Sequence, residues 1–355
     1  MHNFSLYIIN IHLPALYCTP AHQEGLFNVT GIISFGDSTV DTGNNNFFVN
    51  LGKADFPPYG RDFPGGVATG RFCNGKLVAD YIADAMGFPY SLPFLDPNAH
   101  GEAILTGINF ASSGSGWNPD TSNILNVKTL DNQVEWFKSY KNEVISLVGE
   151  ENGNKLINDA LYFVSTGAND YIDHFLIYVT PPPLYDTLPQ LQANLLGNAK
   201  QHLQEIYDLG ARRIGVSGVP AVGCLPFQIT LQGNGSTDCV GFLNELAVQF
   251  NSELQIQLEQ WINDMPEATI FYIDSYTSLL DAFNNPAKYG FTETRKACCG
   301  SGYLEAGILC NEATPGTCTD ANPFLFWDGF HPTTHFYKIL ADDIMNSDFS
   351  LLGNF

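Results

Sequence analysis

The sequence predicts an α/β protein whose central, mostly parallel sheet is covered on both faces by helices. Three observations carry that prediction. Apolar runs bounded by turn residues alternate with amphipathic stretches from Ile32 to the C-terminus. The apolar runs look like strands buried on both faces. Several of them stop abruptly at small polar residues, and strand ends are where α/β proteins hold reactive groups. With 355 residues, 45% of them apolar, the chain can bury one large core. No charge block, low-complexity tract or repeat marks a linker, so residues 25–355 read as one domain behind a candidate signal peptide at 1–24.

The elements follow in order. A first strand ends near Phe35, and "GDS" then delivers Ser38 to the point where the chain leaves the sheet. In "LVADYIADAM", Leu77, Val78, Tyr81, Ile82, Ala85 and Met86 share one helical face, and Gly87 ends the helix. "LDNQVEWFKSYKNEVISLVG" is a second amphipathic helix, and "ALYFVSTGAND" is a strand running into a small-residue loop. A helix over 188–209 stops at Gly210 and feeds the strand "RRIGVSGVP"; a long helix over 241–263 leads to the strand "ATIFYID". Pro332 opens the last helix, "THFYKILADDIM", in a first-turn position where a missing N–H costs nothing.

Charge and cysteine bound the class. A net charge of -22 argues against nucleic acid, because a chain with few cations releases few counterions on binding. Beyond the leader no segment reaches 18 uninterrupted apolar residues, so no integral membrane association is expected. The leader, the sequons at Asn28 and Asn234, and the cysteines all point to a secreted, extracellular protein. Of eight cysteines, Cys18 would leave with the leader. Six others fall in two groups, Cys224 with Cys239, and Cys298, Cys299, Cys310 and Cys318. The second group lacks the paired C-x2-C knuckles of a zinc site, so disulfides are expected. A vicinal 298–299 bridge would be strained, which leaves crossed and nested pairings open. Cys73 is the odd thiol, read as a small buried hydrophobe.

Three loops carry the chemistry. Ser38 follows the first strand, Asn169 follows "LYFVSTGA", and "FWDGFHPTTH" holds Asp328 and His331 before the terminal helix. A serine hydroxyl becomes a nucleophile when a base takes its proton, and imidazole suits neutral pH. Asp328, three residues before His331, could accept from Nδ1 and leave Nε2 facing the serine. Pro332 biases His331 away from the helical region. Donors for a developing oxyanion are at hand in the Ser38 N–H, the bend of "GINFASSGSGW" around Gly114, and the Asn169 amide. Nucleophile, base, orienting acid and donors together satisfy the requirements of acyl transfer, without a metal or cofactor.

The blocks "FGDSTVDTGNNN", "GINFASSGSG", "STGANDY" and "FWDGFHPT" resemble the hallmarks of the plant GDSL esterase/lipase family within the SGNH hydrolases. The resemblance runs from Ile32 to the C-terminus and takes in "FPPYGRDFPGGVATGRFCNGKLVADYIA", "GCLP" and "ACCG". It implies a three-layer α/β/α sandwich of SGNH hydrolase-like, flavodoxin-like type. It also implies Ser38 as nucleophile, His331 as base, Asp328 as its partner, and an oxyanion hole of Asn169 and the Gly114 N–H. The expected activity is that of a secreted esterase or lipase hydrolysing lipid or cell-wall acyl esters through an acyl-enzyme. Acyl transfer to an alcohol or growing polyester uses the same groups, and a catalytically silent binding protein could share the scaffold. Two departures stand out: Thr39 replaces the leucine of the motif, and Ser113 stands where glycine is frequent, narrowing the backbone geometry beside Gly114.

Other polar residues have plainer readings. Asp37 and Asp41 are expected to hydrogen-bond within their loop, and Asp170 to sit in a turn. His331, His335 and Asp328 could in principle ligate a metal, but Pro332 at the helix start and the lack of a zincin-type Glu disfavour it. His174 reads as an ordinary helix residue. "FPPYG" and "FPGG" are rigid turns first and a rim over the acyl pocket second. The loops 44–70 and 171–187 are expected to shape that pocket.

Overall fold

The computed structural model describes residues 29–176 and 187–347. The leader at 1–24, Cys18 and Asn28 lie outside them, as does the side chain of His174. Five strands form the central sheet: β1 (Ile32–Gly36), β2 (Gly107–Asn109), β3 (Leu161–Ser165), β4 (Arg213–Ser217) and β5 (Thr269–Ile273). All are parallel, in the order β2-β1-β3-β4-β5. This is the flavodoxin order, and its strand sequence reverses at β1, so a crevice opens between the carboxyl ends of β1 and β3.

The handedness of parallel crossovers then assigns the helices to faces. The helix α1 (Val78–Met86) links β1 to β2 in one direction across the sheet. Running the other way are α2 (Leu130–Val148), α3 (Glu150–Asp159), α4 (Ala168–Leu176), α5 (Leu188–Asp208), α6 (Pro226–Gln232) and α7 (Gly241–Trp261). Phe137 of α2 meets Phe35 and Tyr162 edge-on at 5.5 and 5.8 Å, so alternate residues of β1 and β3 face the α2 layer. After β5 come α8 (Ser275–Asn284), a two-stranded sheet of β6 (Glu293–Ala297) and β7 (Phe324–Phe326), and α9 (Thr334–Ser347), which packs on α1. The result is a three-layer sandwich.

Local chemistry sets the helix ends. Thr129 caps α2 by accepting from the Asn132 N–H, and the Asn132 side chain returns the bond to the Thr129 N–H. Gly87 closes α1 in the left-handed conformation at φ 74°. Two expectations are corrected. Ala85 is exposed, while Ala79 and Ala83 are buried, because α9 covers α1 and rotates its buried stripe. Pro332 lies outside α9, bridging to Phe326, and the helix starts at Thr334, whose N–H is taken by Asn74 Oδ1 at 2.9 Å.

Besides the main core, a smaller apolar cluster gathers Tyr59, Phe72 and Trp327 around the cysteines of the 298–318 segment. Among the described residues three disulfides form, Cys224–Cys239, Cys298–Cys318 and Cys299–Cys310, the last two nested. Cys73 is free and buried. Asn234 is exposed at a turn.

Candidate active site

The β1 strand ends on a glycine for a steric reason. Gly36 has φ 130°, and a Cβ there would lie 1.9 Å from the Ser165 carbonyl oxygen of β3. Its own carbonyl accepts from Ser112 N–H at 2.9 Å, Ser115 Oγ at 2.8 Å and Gln133 Nε2 at 3.0 Å. The chain therefore leaves the sheet at a fixed point, two residues before Ser38. The block that follows stitches loops together. Asn44 Nδ2 donates to the Asn109 and Ala111 carbonyls at 2.9 and 2.8 Å, and Asn45 Nδ2 to those of Gly52 and Ser113 at 2.7 and 2.9 Å. Asp41 accepts from the N–H groups of Gly43, Asn44 and Ser113. Burial pushes its carboxyl up to about 6 against the pull of those bonds.

Ser38 and His331 meet across 293 residues: His331 Nε2 lies 2.8 Å from Ser38 Oγ. On the far side of the ring, Nδ1 is 2.8 and 2.9 Å from the two oxygens of Asp328. Asp328 is fully buried, whereas Ser38 and His331 keep 7% and 8% of their surfaces exposed, enough for a small group to reach them. The Asp328 Oδ1 also takes the N–H groups of Phe330 and His331 at 2.9 and 2.8 Å. A carboxylate so surrounded by donors fixes the imidazole tautomer with hydrogen on Nδ1, which leaves Nε2 to accept from the serine hydroxyl.

A model of the GDSL-like lipase/acylhydrolase family matches residues 32–344. The chain belongs to that family. Two GDSL esterase/lipases of Arabidopsis thaliana are 42% and 41% identical to it, each alignment covering 92% of both chains. The Arabidopsis GDSL esterase/lipase APG is 40% identical with the same coverage. A solved carbohydrate esterase overlays 91% of the chain at 12% identity and a TM-score of 0.37, too loosely to add to the assignment.

In this GDSL protein the donors expected at the oxyanion position fall as follows. Asn169 lines the cavity beside Ser38; one N–H of its amide goes to the Ser115 carbonyl at 2.8 Å, and among the described residues the other has no acceptor. Among the described residues neither the Ser38 N–H nor the Gly114 N–H donates to a protein acceptor. Gly114 has φ 90°, and a Cβ there would meet Leu125 at 2.7 Å, but it does not line the cavity itself. Asp170 is no simple turn residue: its carboxylate clamps the Trp117 and Asn118 N–H groups and the Thr121 hydroxyl at 2.8, 3.1 and 2.7 Å. Burial lifts it to about 7. Gly116 must be glycine because a Cβ would stand 2.3 Å from that carboxylate.

Asp37 accepts from the Thr39 N–H and hydroxyl, as a loop bonder should, and burial raises it to about 6 against the pull of those bonds. His335 turns away from the site, with Nδ1 on the Asn322 carbonyl at 2.8 Å and its ring against Phe291.

Beside Ser38 a cavity of about 100 Å³ runs between the sheet and the α8 and α9 helices. Its walls are Phe163, Ile273, Leu279, Phe336, Leu340 and Ile344, with Ser165 and Ser217 at strand ends. None of residues 44–70 lines it, so that loop does not shape it; of 171–187 Ile172 does, and 177–186 lie outside the described residues. The sequence reading also missed Tyr59 and Phe72. Tyr59 bonds Asp328, and the ring of Phe72 packs 4.9 Å from that of His331. An aromatic residue in a proline-rich turn looks like surface geometry, and nothing local signals that it points inward.

Proposed function

We propose that this protein is a secreted serine esterase that hydrolyses carboxylic esters with an apolar acid part, such as lipid or cell-wall acyl esters, through an acyl-enzyme on Ser38. The observation that carries the reading is the continuous line from Asp328 through the imidazole to a serine hydroxyl 2.8 Å away. Ser38 Oγ attacks the ester carbonyl carbon as its proton passes to His331 Nε2. The carbonyl oxygen gains the electron pair and is held by the N–H groups of Ser38 and Gly114 and by the Asn169 amide. Collapse expels the alcohol, which leaves with the proton from Nε2. Water then gives a proton to Nε2 while its oxygen attacks the acyl-serine, and the acid departs as the proton returns to Ser38. Throughout, Asp328 keeps the ring oriented and offsets the imidazolium charge.

The cavity suits an acyl chain better than a sugar, since most of its lining residues are apolar. Secretion is supported by three disulfides, which persist in oxidising compartments, and by the exposed sequon asparagine Asn234. The experiment is Ser38→Ala with p-nitrophenyl butyrate and a fluorophosphonate probe. Turnover should fall by about 10⁴-fold or more and labelling should vanish, with the fold intact. Turnover or labelling that survives the substitution refutes the proposal, and an unlabelled wild type points to a silent scaffold.

A further inference from the structure

The "FPPYG" turn ends beneath the catalytic carboxylate, not at a rim. Tyr59 is 1% exposed, with its ring edge-on to Phe72 and Trp327, and its hydroxyl lies 2.6 Å from Asp328 Oδ2. On the assignment of Ser38, His331 and Asp328 made above, we propose that Tyr59 is a positioning residue that sets how strongly Asp328 draws a proton onto His331, and thereby the pH at which esterase activity begins.

The direction of its hydrogen bond is forced. The Gly307 N–H lies 2.8 Å from the same phenol oxygen, and a backbone N–H can only donate. With that lone pair taken and a carboxylate opposite, the phenol proton must face Asp328 Oδ2. Gly307 is itself held in place, because it belongs to the loop closed by Cys299–Cys310. The adjoining Glu305 carbonyl takes the Gly329 N–H at 2.7 Å, which ties that loop to the segment carrying Asp328 and His331. The phenol also stays protonated: burial, and then the charge of Asp328, push it well above its ordinary value.

The consequence is electrostatic. Oδ2 faces both the phenol and the imidazole Nδ1, at 2.6 and 2.9 Å, so a donor on that oxygen spreads charge that would otherwise stabilise the imidazolium. Removing the hydroxyl leaves that charge undiluted, and His331 should hold its proton to a higher pH. The other ionisable groups facing the pair are Cys73, Tyr337 and Asp37. Burial keeps the first two neutral. Asp37, raised to about 6 and coupled to His331, is present in wild type and variant alike, so the comparison between them reports the change made at Tyr59.

The test is Tyr59→Phe in the full-length protein, with kcat/KM for p-nitrophenyl butyrate followed from about pH 5 to about pH 9. The acid limb should move up by about 0.5–1 pH unit, with a loss of about 3–30-fold on the plateau. A limb that stays within about 0.2 unit overturns the inference, whatever the loss of rate, because a merely structural tyrosine would lower the rate alone. If Tyr59→Phe does not fold, 3-fluorotyrosine placed at position 59 keeps the shape and donates more strongly. The limb should then move down, and an unmoved limb overturns the inference. Activity surviving in Ser38→Ala would sink the triad reading itself, whereas a dead Ser38→Ala beside an unmoved Tyr59→Phe limb sinks only this inference.

Discussion

Gly36→Ala should damage both the fold and the chemistry, by an amount the geometry sets. The new Cβ would start 1.9 Å from the Ser165 carbonyl oxygen, where ordinary contact begins at 3.4 Å, so β1 and β3 must part by about 1.5 Å. Backbone meets backbone here, and no side chain can swing aside to relieve it. Parting is resisted by the three hydrogen bonds that converge on the Gly36 carbonyl. Left-handed strain and overpacking together should cost about 2–4 kcal/mol, read as a lower urea midpoint by tryptophan fluorescence. Ser38 is two residues on and meets His331 at 2.8 Å, so a shift of this size breaks the contact and should lower kcat/KM by about 10²-fold or more. The matched control is Gly197→Ala in α5, where an added Cβ meets nothing within 4 Å. It should stabilise by about 0.5–1 kcal/mol and leave the rate alone. A Gly36→Ala protein within about 0.5 kcal/mol and threefold of wild type would refute the reasoning.

Two further outcomes follow from buried charge. Arg71 holds Asp80 through two contacts of 2.8 and 2.7 Å, with side chains 5% and 2% exposed, so Arg71→Met should cost about 3–5 kcal/mol by leaving a buried carboxylate without its counter-charge. Adding Asp80→Leu should recover much of that in urea titrations, and a single variant as stable as wild type would contradict it. Burial raises Asp170 to about 7 and Asp41 to about 6, so the native chain keeps protons that the unfolded chain releases near pH 4. The stability this contributes is complete below about pH 4 and is lost as pH rises through about 7. Urea midpoints should therefore fall between about pH 5 and about pH 8, less steeply in Asp170→Asn, and a rising midpoint would overturn the assignment.

The strands, the long helices and the reactive loops were legible because each has a local signal. Periodicity marks α2, α5 and α7, and an apolar run ending in small residues marks β1 and β3. That Ser38, Asp328 and His331 would meet could be expected because their residue types suit one chemistry and sit at strand or helix boundaries. The short β2, β6 and β7 strands were not legible, since three to five residues carry too little pattern and are fixed by partners far along the chain. The nesting of Cys298–Cys318 around Cys299–Cys310 is likewise decided by tertiary packing, as spacing permits either arrangement. Tyr59 and the buried Asn44 and Asn45 were missed for the converse reason. Their types favour exposed turns, and only the assembled loops turn them into internal struts.

The 293-residue gap between Ser38 and His331 also has a meaning in time. A ribosome adding about 5–20 residues per second takes about 15–60 s to travel from the codon of one to that of the other. Throughout that interval the nascent chain carries a serine with no base to activate it. On the proposed assignment, ester cleavage cannot begin anywhere along the growing polypeptide, and the enzyme switches on only once its last helical layer has closed over the first strand.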